Sequence, residues 1–85
     1  MKRQMAERLK DYIPIVAKMH RIRADVKTIE SDKGDCGVKI AVRVGKHSAA
    51  KEIFDEAALD VDQTSRLLFD LVATAAAAIE KDDQL

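Results

Sequence analysis

The first twenty residues place Met5, Leu9, Tyr12, Val16 and Met19 on one stripe at helical spacing, with Ile13 and His20 beside it and charges opposite. This period predicts an amphipathic helix over about residues 3–19. Pro14 falls inside it. Proline lacks a backbone donor and clashes with the preceding turn, so the helix is expected to kink or break there.

The period then changes to two. Ile22, Ala24, Val26 and Thr28 alternate with Arg21, Arg23, Asp25 and Lys27, and the stretch CGVKIAVRV alternates again, with Cys36, Val38, Ile40, Val42 and Val44 on one side. Two such runs around a short polar loop predict an antiparallel β-hairpin. A three-residue loop Asp32-Lys33-Gly34, with Gly34 left-handed, sets Ser31 opposite Asp35. Counting outward then pairs Thr28 with Val38, Val26 with Ile40, Ala24 with Val42 and Ile22 with Val44. A slip of one residue would oppose Val26 to Lys39 and mix charges into the apolar face. The same register sets Lys27 against Lys39 and Arg23 against Arg43 on the second face. Like charges directly opposite cost up to about 1 kcal/mol per pair. That face is therefore expected to meet water, the chain's own acidic half, or a negative partner.

Beyond Gly45 the chain has no further glycine or proline. One apolar stripe runs through Ala49, Ala50, Ile53, Phe54, Ala57 and Ala58, and another through Leu67, Leu68, Leu71, Val72, Ala75, Ala76 and Ile79. Weak helix formers cluster between them in LDVDQTS. Two helices over about residues 48–59 and 62–81 are therefore expected, in preference to one long rod. Ser48 is placed to cap the first, and Asp60 or Asp62 the second. The alanine-rich run 73–78 would let another helix approach closely, either within the chain or in a dimer.

These elements make one small α+β domain over residues 1–85: an N-terminal helix, an antiparallel hairpin, and one or two C-terminal helices packed on one sheet face. A chain this short buries only about 60–65 % of its unfolded surface, so self-association is expected to support it. The net charge is zero, but residues 1–47 carry twelve Lys and Arg against six Asp and Glu, and residues 48–85 carry three against nine. No run of about 20 apolar residues is present to span a membrane. The basic start lacks the apolar stretch of a secretory signal. Cys36 is the sole cysteine and fits a reducing compartment, so a cytoplasmic location is expected.

Chemistry-bearing patterns are sparse. His20 and His47 sit at the hairpin end far from Cys36, which leaves too few convergent ligands for a metal. The acidic residues Asp55, Glu56, Asp60 and Asp62 read as a solvated helix face. Gly34, Gly37 and Gly45 do not form a phosphate loop, and no nucleophile–base pair is spaced for catalysis. No cofactor, metal or catalytic residue is assigned. The expected function is a non-enzymatic binding or regulatory protein that occupies the surface of an acidic partner protein, in the manner of small inhibitors carried by phages or mobile elements. Its binding residues would be Arg21, Arg23, Lys27, Lys39 and Arg43. The alternative is nucleic-acid binding, through the same residues as a basic β-ribbon or through a divergent helix-turn-helix in EAALDVDQTSRLLFDL with Gln63, Thr64, Ser65 and Arg66 exposed.

Overall fold

The computed structural model describes residues 1–55 and 60–83. Its elements are α1 (Arg3–Met19), β1 (Arg23–Glu30), β2 (Cys36–Val44), β3 (His47–Ile53) and α2 (Val61–Asp83). The strands form one antiparallel sheet in the order β1-β2-β3. The fold is α+β, with helices on one face of the sheet.

The hairpin β1–β2 has the register that its alternation and turn dictate. Thr28 pairs with Val38, Val26 with Ile40 and Ala24 with Val42. Ladder pairing begins at Arg23 opposite Arg43, so Ile22 lies one residue outside β1. At the turn the Ser31 amide donates to the Asp35 carbonyl at 2.8 Å, and Gly34 takes φ +85.

Residues 47–53 differ from expectation: they form a third strand, and Ser48 lies within it rather than capping a helix. The remainder of the predicted 48–59 helix, at 56–59, lies outside the described residues. Ala, Lys and Glu are poor strand formers, but a two-stranded hairpin is barely stable alone and β2 has a second edge to fill. The connection Gly45-Lys46, with Gly45 at φ +61, is a glycine-first two-residue turn that returns the chain directly onto β2. Val44 then meets His47, Val42 meets Ala49 and Val38 meets Ile53.

The core lies between the sheet's apolar face and the two helices. Val38, Ile40 and Val42 of the central strand are fully buried, against Leu9, Ile13 and Val16 of α1 and Leu68, Leu71 and Ala75 of α2. Helix α1 runs unbroken across Pro14. Proline offers the Lys10 carbonyl no N–H, yet burial of Ile13, Val16 and Ala17 on either side holds the helix through that gap. α2 is a single helix, and Asp60 caps it by accepting the Gln63 amide at 2.8 Å. Of the alanine-rich run, Ala75 is buried in the core while Ala73 and Ala77 face solvent.

Candidate interaction surface

Strand alternation leaves a second sheet face that neither helix covers. The buried apolar side chains of β2 and β3 (Val38, Ile40, Val42 and Ala49) all belong to one face, with α1 and α2 in contact above it, while buried Gly37 lies on the other. The other face carries Arg23, Asp25 and Lys27 from β1, Lys39, Ala41 and Arg43 from β2, and Ser48, Ala50 and Glu52 from β3. Packing of the basic face on the chain's own helices is thereby excluded for the described residues.

Three cross-strand rows organise this surface. Arg23, Arg43 and Ser48 form one, Asp25, Ala41 and Ala50 the next, and Lys27, Lys39 and Glu52 the third. Arg23, Lys27 and Arg43 are exposed, and Lys39, flanked on both sides, is half-buried. Four cations stand here against two carboxylates. Lys39 has Glu52 as a cross-strand neighbour of opposite charge, whereas Arg43 has only Arg23 and Ser48. The centre is paved by small side chains, so a partner can approach the backbone closely. Gly37 closes one end: a Cβ there would stand 2.5 Å from the Ile53 carbonyl oxygen and 2.6 Å from Cδ1 of Phe54, so the Phe54 ring rests on bare backbone. The Met1 ammonium donates to the Phe54 carbonyl at 2.7 Å and to that of Cys36 at 3.0 Å.

Arg21 is not part of the sheet. It follows α1 at φ +56, the left-handed position of a Schellman ending. The Ile22 amide donates to the Ala17 carbonyl at 2.9 Å and the Arg21 amide to that of Lys18 at 3.1 Å. The turn swings Arg21 toward the end of the sheet, where it lines a cleft with Arg23 and Arg43. Lys27 and Lys39 lie roughly 13 Å along the strands from this cluster, at about 3.3 Å per residue. The five sequence-predicted residues thus divide into three arginines around a cleft and two lysines farther along an open face.

A larger groove of about 580 Å³ between β3 and α2 has no counterpart in the sequence pattern, which is helical over residues 48–59. Ile53, Phe54 and Leu67 contribute apolar surface, and Lys51, Arg66 and Asp70 stand around it with both signs of charge. That mixture favours no charged ligand class. Of the helix-turn-helix reading, the first segment, 56–59, lies outside the described residues, while Thr64 is buried rather than exposed and Ser65 Oγ shares a 2.9 Å hydrogen bond with His20 Nε2. His20 also meets Phe69 edge-on, with ring centroids 4.9 Å apart, which ties the end of α1 to α2. Comparison of the chain with protein-family models, curated proteins and solved structures gives no match.

Proposed function

We propose that this protein is a non-enzymatic binding protein whose uncovered basic sheet face docks on an acidic surface of a partner protein. The observation that carries the reading is the pairing of Arg23 with Arg43 and Lys27 with Lys39 on a face left open by both helices. Such pairs oppose stability in the isolated chain and are relieved when negative charge arrives. Small residues at Ala41, Ser48 and Ala50 leave the face flat enough for a broad contact. Nucleic acid is the second reading, since the same cations form a β-ribbon with arginines at one end.

Capture from lysate of the native host, with and without nuclease, separates the two. Wild type and Lys39→Glu with Arg43→Glu serve as baits. Protein retained by wild type despite nuclease, and lost with the double variant, supports the first reading. Retention that disappears with nuclease supports the second, and equal retention by both baits overturns each. The reading also includes self-association, supported by the outer edges of β1 and β3, unpaired among the described residues, and by exposed Ile15, Met19 and Phe69. Sedimentation is expected to show a dimer or larger species at micromolar concentration, and a monomer there would remove that element. A lone thiol at Cys36 accords with a cytoplasmic setting.

A further inference from the structure

We infer that the cleft at the Arg21 end of the sheet is a site for a phosphate monoester carried on an apolar stem. The cleft has a volume of about 400 Å³, within the range of small-ligand sites, which runs from about 300 to 1,000 Å³. Arg21, Arg23 and Arg43 line it, and none of its described lining residues is acidic. Its other walls are Ile22, Val44, Val72 and the backbone at Gly45. The arrangement therefore combines a cationic rim with an apolar floor.

Two features favour a phosphoryl group over a generic anion. All three cations are arginines, whereas the cations farther along the face are lysines. A guanidinium offers paired donors in a fixed fork that fits two oxygens of one phosphoryl group, and a lysine ammonium does not. Three guanidinium groups also give a dianion more to bind than a carboxylate monoanion. The apolar floor of Ile22, Val44 and Val72 excludes a bare, fully hydrated ion as the best occupant, because desolvated apolar surface is recovered only by a ligand with carbon attached to the phosphate. Arg21 lines the cleft from a backbone position, φ +56, that glycine would fill with less strain.

The inference deepens, and rests on, the reading of the basic face as an interaction surface, yet its test needs no partner. Amide chemical shifts of the full chain are followed by NMR during titration with phenyl phosphate, glycerol phosphate and acetate at matched ionic strength. Saturable shifts confined to residues 21–23 and 43–45, strongest for phenyl phosphate and weakest for acetate, are expected. Arg21→Gly should weaken phenyl phosphate binding at least fivefold while its spectrum elsewhere stays that of the folded protein, since glycine suits this turn. Arg23→Lys with Arg43→Lys, which keeps the charge and removes the forks, should weaken it severalfold. Equal shifts for acetate, shifts spread evenly to Lys27 and Lys39, or undiminished binding by Arg21→Gly would each overturn the assignment. Reversal of Lys27 and Lys39, outside the cleft, distinguishes the two claims. Partner capture lost in that variant, alongside a flat phosphate titration of wild type, would leave the face reading standing and remove the cleft.

Discussion

Arg21 shows how one residue can work against its own backbone. A left-handed conformation costs a non-glycine residue about 1 kcal/mol, partly offset by the larger unfolded-state entropy of glycine. Arg21→Gly is expected to raise stability by about 0.5 kcal/mol in urea unfolding; a loss above 1 kcal/mol would show that the guanidinium stabilises the fold. Thr64 presents the opposite case, a polar group in the wrong medium. Its side chain is fully buried at the start of α2, and its Oγ1 has no hydrogen-bond partner among the described residues. An orphaned buried hydroxyl costs about 1–3 kcal/mol, and valine has nearly the same shape. Thr64→Val should therefore stabilise the protein by about 1 kcal/mol. Destabilisation in the same assay would mean that the hydroxyl has a partner.

Among the elements, the hairpin was the most legible in the sequence and β3 the least. In β1–β2 the alternation and the Asp32-Lys33-Gly34 turn specify the same register independently, and a slip would bury Lys39. In β3 the local preference of Ala49, Ala50, Lys51 and Glu52 is helical, and only Gly45-Lys46 marks a tight reversal. Tertiary context decides there: Ala49 is buried opposite Val42, and Ile53 pairs with Val38. The four cross-strand cations followed from the hairpin register and were readable. The gathering of Arg21 with Arg23 and Arg43 was not, because it depends on a left-handed turn without glycine. The contact of Phe54 with Gly37 fixes how the end of β3 sits on β2. Gly37→Ala should cost about 1–3 kcal/mol, because the added methyl meets backbone at Ile53 as well as the ring. Faster amide exchange in β3 would accompany the loss, and an unperturbed variant would show that this end is loosely held.

At the scale of the molecule, two helices and one sheet face make the core, and the remaining face is left charged. The extents of 43 × 30 × 16 Å fit a two-layer plate whose basic face is covered by neither helix. In the isolated plate the Arg23–Arg43 pair is unfavourable, with Asp25 of the neighbouring row diagonal to Arg43. The most direct test is the unfolding free energy of Arg43→Glu, measured in urea at low ionic strength, where screening is weakest. The substitution replaces a like-charge pair by an opposite-charge pair across the strands, with Ser48 as the only other cross-strand neighbour. A gain of about 0.5–1 kcal/mol that shrinks as salt is added is expected. A loss of 1 kcal/mol or more would contradict it, because Arg43 would then be held by contacts within the protein rather than kept for a partner.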